Sequence, residues 1–196
     1  MRRLPNRTVC WSPTWSEGFE NVGLEHVVLA ERSADSVLLA CDESGTPFRL
    51  TYVLRWDPAG CLREAELRAH HGSNVTNLSL RSDGEGHWAN GDGQPLSDLD
   101  GCIDIDIWPT PLTNSFPIWR SQLRIGERRE FWMAWVSAPE LTVEPKPQAY
   151  TRLEERLYLF ESLDGTGFQA RLQVDNDDIV LDYPELFHRL SRQVDA

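Results

Sequence analysis

The sequence predicts an all-β fold, a single large antiparallel β-barrel of many strands with a short C-terminal helix. Apolar and polar residues alternate over residues 50–56, 103–107 and 170–174, and a period of two is typical of strands buried on one face. Turn signals recur about every 8–12 residues, a spacing typical of sandwiches and barrels. A chain of 196 residues is long enough to bury a sizeable core. Residues 1–196 are therefore predicted to form one domain.

The predicted strands follow one another with short connections along most of the chain. Residues 50–56 and 62–67 flank the turn Asp-Pro-Ala-Gly, which predicts a hairpin. Residues 81–93 are rich in glycine and are predicted to form a loop. Further runs of strand character lie at residues 27–30, 37–41, 75–80, 131–136, 157–160, 168–174 and 179–182.

Only two stretches of the chain are candidates for helical structure. Leu186, Phe187 and Leu190 follow Pro184 with helical spacing, which predicts a short closing helix over residues 184–190. Residues 16–25 are predicted to form an irregular turn. A weak internal echo relates residues 52–67 to residues 158–172, since each is a strand, an Asp/Gly turn and a strand. Duplication of one half of the barrel would explain this similarity. The general pattern of β-hairpins would explain it equally well.

Composition and charge narrow the function classes. The net charge of -12, from 19 basic and 31 acidic residues, argues against binding to nucleic acid and to anionic membrane surfaces. We see no apolar export segment and no run of about 18 apolar residues, so we expect a cytoplasmic protein without membrane insertion. The cysteines are far apart, and we expect reduced, mostly buried thiols. They are Cys10, Cys41, Cys61 and Cys102.

The most informative stretch is LDGCIDIDIWPTPLTNSFPIWR, residues 99–120. On a strand over residues 103–107, the isoleucines face one side and Asp104 and Asp106 face the other. Two carboxylates about 6–7 Å apart on one face need water, hydrogen bonds or a cation, and the nearest basic residue is Arg120. We expect the two side chains to point away from the isoleucines and toward Thr113, Asn114 or Arg120.

The sequence leaves four roles open for this pair of aspartates. They can be solvated or held by Arg120 or Arg124, or they can accept hydrogen bonds from a polar ligand. They can also bind a divalent cation together with Asp98 and Asp100, or act as an acid/base pair. Hard-cation sites usually use glycine-supported turns with several oxygen ligands, and no nucleophile motif such as GxSxG is present. We therefore predict no metal site, no cofactor and no catalytic residue.

The same stretch resembles the signature of a bacterial family described as putative glycolipid-binding, formerly a domain of unknown function. The matching positions are Gly101, Cys102, Asp104, Asp106, Thr110, Pro111, Thr113, Asn114, Pro117, Ile118 and Arg120. Leu112, Phe116 and Trp119 differ from the family pattern of Ala, Leu and a second Arg, which argues against a site built on two arginines. The resemblance covers about residues 15–189. It implies a large antiparallel β-barrel similar in shape to bacterial lipoprotein carriers.

These observations predict a non-enzymatic binding protein for an amphipathic molecule, with a glycolipid implied by the resemblance. The apolar wall of a barrel cavity holds the acyl chain, and polar residues hold the head group. The candidate ligand-binding residues are Asp104, Asp106, Trp108, Thr110, Thr113, Asn114, Trp119 and Arg120. Two alternatives stay open, an enzyme (hydrolase or isomerase) that uses the two aspartates at the barrel mouth, and an interaction module with a filled barrel. The oligomeric state is not predicted.

Overall fold

The computed structural model describes residues 6–13, 23–42 and 44–190, which contain fourteen β-strands and one α-helix. The first seven strands are β1 (Arg7–Pro13), β2 (Leu24–Ala30), β3 (Ser33–Cys41), β4 (Pro47–Trp56), β5 (Leu62–His71), β6 (Asn74–Ser82) and β7 (Trp88–Asn90). The middle of the chain has a 3-10 helix (Ser97–Leu99), β8 (Asp104–Trp108), a second 3-10 helix (Leu112–Asn114) and α1 (Ser115–Ser121). The last six strands are β9 (Arg128–Ser137), β10 (Thr142–Glu154), β11 (Leu157–Ser162), β12 (Gln169–Val174), β13 (Val180–Tyr183) and β14 (Phe187–Arg189).

All fourteen strands belong to one sheet, which confirms the predicted all-β class. Their order across the sheet is β7-β6-β5-β4-β3-β2-β1-β14-β13-β12-β11-β10-β9-β8. Neighbouring strands are antiparallel, with the exception of β8 and β9, which are parallel. The predicted hairpin at residues 50–67 is β4–β5, with Leu54 opposite Ala65.

The predicted closure into a barrel is wrong, because the sheet is open between β7 and β8. Within the described residues these two edge strands do not pair. The indole N–H of Trp88 in β7 donates instead to the carbonyl oxygen of Cys102, just before β8, at 2.6 Å. On β8, the backbone N–H of Ile107 donates to Oγ1 of Thr113 at 3.2 Å. The Thr113 side chain thus accepts a backbone hydrogen bond that a strand closing the barrel would otherwise accept.

The parallel pair β8–β9 corrects the expectation of a purely antiparallel sheet. Parallel neighbours need a crossover of a dozen or more residues, and residues 109–127 provide it. This crossover contains α1, which the sequence analysis did not anticipate in a segment rich in proline and hydroxyl groups. Pro117 lies in the first turn of the helix, where its missing N–H costs no intrahelical bond. The helix ends at Gln122, whose left-handed backbone (φ 48°) lets its N–H bond the carbonyl oxygen of Ile118.

The predicted closing helix over residues 184–190 is also wrong. Phe187 to Arg189 form β14, which pairs with both β1 and β13. A helix this short is marginal by itself, whereas the strand finds hydrogen-bond partners on both sides. Glu185, with a φ of 68°, turns the chain between β13 and β14. Phe187 is buried, with its ring centroid 6.1 Å from that of Tyr183.

The sheet is strongly curved, because strands far apart in it contact the same piece of chain. We call residues 109–121 the interior segment. Tyr52 of β4 and Tyr150 of β10 both hydrogen-bond to it, although eight strand positions separate β4 from β10. In a flat sheet these strands would lie about 38 Å apart. The sheet therefore wraps around the interior segment, and its concave inner face carries the hydrophobic core.

Three further sequence expectations concern the internal repeat, the irregular turn and membrane insertion. The echo between residues 52–67 and 158–172 lies in the β4–β5 and β11–β12 hairpins, and the duplication itself stays a prediction. Of the predicted irregular turn over residues 16–25, residues 16–22 lie outside the described residues, while Leu24 and Glu25 belong to β2. None of the helices in the described ranges has the length and apolar character needed to cross a membrane.

Candidate functional site

The interior segment carries most of the candidate residues, and its first ten residues are all buried, from Pro109 to Ile118. A buried polar side chain is costly unless it is hydrogen-bonded. In this segment the polar side chains find partners on strands that lie far away in the sequence. The hydroxyl, amide and indole groups of the segment therefore fix it inside the sheet.

Asp104 forms a buried ion pair with Arg120. The side chain of Asp104 is 1 % exposed, and Arg120 contacts both carboxylate oxygens, with Nη2 2.6 Å and Nε 3.2 Å from Oδ2. Burial raises the pKa of Asp104, and the guanidinium opposes that rise. The Arg120 guanidinium also lies over the Phe131 ring, 5.4 Å from its centroid. Arg120 is thus the structural partner of Asp104, as one of the sequence alternatives held.

Asp106 is held by two neutral donors. Oγ1 of Thr113 donates to Oδ1 at 3.0 Å, and the Gln148 amide donates to Oδ2 at 2.5 Å. Burial is the main cause of a raised pKa at Asp106, and these hydrogen bonds work against it. Both aspartates lie opposite the buried isoleucines of β8 and point toward Thr113 and Arg120, which confirms the predicted orientation.

A third buried carboxylate, Glu25 on β2, escaped the sequence analysis. Its oxygens accept hydrogen bonds from Ser36 at 2.9 Å, Tyr52 at 2.6 Å and Thr110 at 2.8 Å. Burial raises the pKa of Glu25 from 4.5 to about 7, and these hydrogen bonds offset part of the rise. One signal was available in the sequence, because Glu25 shares its strand face with the apolar Val27. A carboxylate in an apolar row predicts a buried polar contact.

The remaining polar residues fasten the interior segment to the other half of the sheet. The Tyr150 hydroxyl donates to Oδ1 of Asn114 at 2.8 Å, and the Asn114 amide donates to the carbonyl oxygen of Pro111. The Trp119 indole N–H donates to the carbonyl oxygen of Asp177 at 2.8 Å. Because β10 and the β12–β13 turn supply these partners, the segment is tied across the whole concave face.

Two cavities border Trp108. The outer cavity has a volume of about 580 Å³ and is lined by Cys41, Asp42, Ser44, Phe48, Trp108, Ser137, Ala138, Pro139, Glu140 and Leu186. The inner cavity has a volume of about 40 Å³ and is lined by Asp106, Ile107, Trp108, Thr110, Asn114, Trp135, Phe160, Tyr183 and Phe187. The Trp108 ring, whose centroid is 6.2 Å from that of Phe187, is common to both linings.

The structure divides the eight candidate residues into two groups. Trp108 lines both cavities, and three candidates line the inner one with it, namely Asp106, Thr110 and Asn114. The other four line neither cavity and hold the interior segment in place: Asp104, Thr113, Trp119 and Arg120. Within the described part of the chain no three His, Cys, Asp or Glu side chains form a possible metal site. The four cysteines are unpaired.

Comparison with known proteins places this fold in a family. The sequence profile of the family described as "Putative glycolipid-binding" matches residues 8–189. The chain belongs to this family. It is also similar to a crystal structure of a DUF1089 family protein from Pseudomonas aeruginosa, at 43 % identity and a TM-score of 0.83 over 97 % of this chain and 96 % of that one. No curated protein matches the chain.

Proposed function

We propose that this protein binds an amphipathic molecule, with a glycolipid as the candidate, in the outer cavity beside Trp108. One observation carries the proposal, the two-sided lining of that cavity. Phe48, Trp108 and Leu186 form an apolar wall, whereas Asp42 and Glu140 supply carboxylates. Its volume of about 580 Å³ lies in the range of small-molecule sites. An acyl chain packs against the wall, and sugar hydroxyls donate to the Glu140 carboxylate, because the Asp42 carboxylate already bonds Ser44, Thr46 and His71. The family description supports this class of ligand.

In this proposal one candidate residue contacts the ligand directly, and the others act through water or through the interior segment. Trp108 contacts the apolar part of the ligand directly. Asp106, Thr110 and Asn114 bind water in the inner cavity, whose 40 Å³ suffices for water and not for a sugar ring. The ion pair of Asp104 and Arg120 positions Trp108 by fixing the interior segment that follows it.

The interior segment also bears on the two alternatives to binding. An enzyme that uses Asp106 is favoured by one observation, a carboxyl group with a raised pKa on a cavity wall. That cavity, with a volume of about 40 Å³, is too small for a substrate, so the geometry favours binding over a reaction. An interaction module should have a filled interior, and the buried interior segment agrees with this. It should have no ligand cavity, and the outer cavity argues against it.

Native mass spectrometry and titration with octyl glucoside below its micelle concentration test the proposal. We expect the full chain to bind the glycoside, and Trp108→Ala to weaken binding by about tenfold or more, as for other buried aromatic anchors. Trp132→Ala is the matched control, because Trp132 is 54 % exposed and lies outside both cavities. Equal affinities of the two variants, or no binding by the wild-type protein, would overturn the proposal.

A further inference from the structure

The outer face of the sheet carries an apolar and basic surface near one end of β2 to β6. Two cross-strand rows compose it, and we call them together the outer rows. The first row is Leu24, Leu39, Arg49, His70 and Val75, in register across five strands. The second row is His26, Val37, Thr51, Arg68 and Asn77.

Exposed apolar side chains are concentrated in the outer rows. Eight large apolar side chains are exposed among the described residues, and four of them lie here. Leu24 is 40 % exposed and stands directly opposite Leu39, which is 51 % exposed. Val37 and Val75 are the other two. Isolated apolar residues on a surface are ordinary, whereas a contiguous group marks an interaction site.

The charge of the outer rows is opposite to that of the whole chain. They contain Arg49 and Arg68, both exposed, and no carboxylate. The nearest carboxylates on this face, Asp35 and Glu66, belong to the next row, about 6–7 Å along the strands from Val37 and Arg68. The chain carries a net charge of -12, but charges more than about 8 Å away are largely screened at physiological salt. Asp35 and Glu66 therefore offset part of the charge of Arg68, whereas Arg49 belongs to the first row and stands one row further from them. A surface that approaches the first row meets a basic and apolar face.

We infer that the outer rows dock onto the surface of a lipid bilayer that carries anionic headgroups. Guanidinium groups bind phosphate through paired hydrogen bonds, and partly exposed leucine and valine side chains enter the apolar boundary beneath the headgroups. A second copy of the chain fits less well. An isologous dimer centred on the first row would place no carboxylate opposite Arg49.

The outer rows also border the outer cavity. Cys41 lies two residues beyond Leu39 on β3, and Phe48 precedes Arg49 on β4, and both line that cavity. Phe48 faces the core, so a bilayer seated on the outer rows lies near the strand ends that line this cavity and on the opposite face of the sheet from Phe48. Transfer of the ligand between bilayer and cavity rests on the proposed function, whereas docking rests on the composition of the outer rows.

Co-sedimentation of the full chain with vesicles that contain no glycolipid tests the docking. We expect binding to vesicles of phosphatidylglycerol and phosphatidylcholine in equal parts, weaker binding to phosphatidylcholine alone, and release by added salt. Arg49→Glu with Arg68→Glu should lower the partition coefficient by about tenfold or more. Leu24→Ser with Leu39→Ser should also weaken binding. Circular dichroism verifies that each variant is folded.

Matched control variants change the net charge and remove exposed apolar side chains to the same extent as the test variants, but outside the outer rows. Arg156→Glu with Arg171→Glu changes the net charge equally at exposed sites away from the outer rows. Ile125→Ser with Leu190→Ser removes two other exposed apolar side chains. These controls should keep wild-type vesicle binding. No vesicle binding by the wild-type chain, or equal losses in controls and test variants, would refute the docking.

Two further measurements distinguish membrane docking from dimerisation and from the proposed ligand site. A concentration-dependent dimer that Leu24→Ser with Leu39→Ser dissociates would assign the outer rows to a second copy and refute membrane docking. Trp108→Ala should keep vesicle binding and lose octyl glucoside, whereas Arg49→Glu with Arg68→Glu should do the reverse. Failure of the docking and failure of the proposed ligand site thus give different results.

Discussion

Glu25 offers the most direct test of how the interior segment is held. Its carboxylate is completely buried, and the three side chains that donate to it, Ser36, Tyr52 and Thr110, are neutral hydroxyls. Thr110 belongs to the interior segment, so this cluster ties β2, β3 and β4 to that segment. Replacing Glu25 by glutamine keeps the shape of the side chain and removes its ability to ionise.

The expected magnitude follows from the pKa of Glu25. Burial raises it from 4.5 to about 7, and a rise of that size corresponds to about 3 kcal/mol of unfolding free energy. Because the folded-state pKa is the higher one, this stability is fully present below about pH 4.5 and is lost as the pH rises through about 7. The introduced amide is a less suitable partner for the three hydroxyls than the carboxylate, which offsets about 1 kcal/mol. At about pH 8 we therefore expect Glu25→Gln to be more stable than the wild type by about 2 kcal/mol.

Urea unfolding at several pH values measures this difference. At about pH 4, where the wild-type carboxyl is protonated in both states, the advantage should vanish or reverse by about 1 kcal/mol. Glu66→Gln is the matched control, since Glu66 is exposed on β5 and bonds the Ser79 hydroxyl at 2.6 Å. That control should show no pH-dependent gain. A Glu25→Gln protein that is less stable than the wild type by the same amount at every pH would refute the reasoning.

Three further predictions concern buried contacts of the site. Asp104→Asn leaves the Arg120 guanidinium without its counter-ion and should lower the unfolding free energy by about 1–3 kcal/mol, seen as a lower melting temperature; an unchanged value would mean that the pair is solvated. Tyr150→Phe removes the hydrogen bond to Asn114 and should cost about 1 kcal/mol in urea unfolding; an unchanged unfolding free energy would contradict this role of the hydroxyl. Burial raises the pKa of Cys102 to about 11, so mass spectrometry after alkylation without reductant should show Cys102 modified only in urea; rapid modification in native buffer would contradict its burial.

The strands and the orientation of the two aspartates were predictable, because both depend on the alternation of side chains along a strand. The runs at residues 50–56 and 170–174 lie in strands, and so does the run at residues 103–107 apart from Ile103, which precedes β8. Asp104 and Asp106 lie opposite the isoleucines for the same local reason. The pairing of Asp104 with Arg120 was also accessible, since sixteen residues separate the partners and a buried carboxylate requires a donor.

The roles of the polar residues around the site were not predictable in the same way. Glu25 depends on Thr110, which lies 85 residues further along the chain. Asn114 depends on Tyr150, and Trp119 depends on the backbone of Asp177. These partners meet only because the sheet curves, and curvature has no signature in the residues of one segment.

By itself the sequence determined the all-β class, the alternation of faces in strands such as β4, β8 and β12, and the need of Asp104 and Asp106 for partners. Those properties follow from periodicity and from the cost of burying charge, which act locally. The tertiary structure alone decided that the sheet stays open, that β8 runs parallel to β9 and that residues 187–189 extend the sheet. It also decided that residues 109–121 fill the concave face. Each of these outcomes depends on which distant backbone and side-chain groups complete a segment's hydrogen bonds, and that competition is settled only when the whole chain has folded.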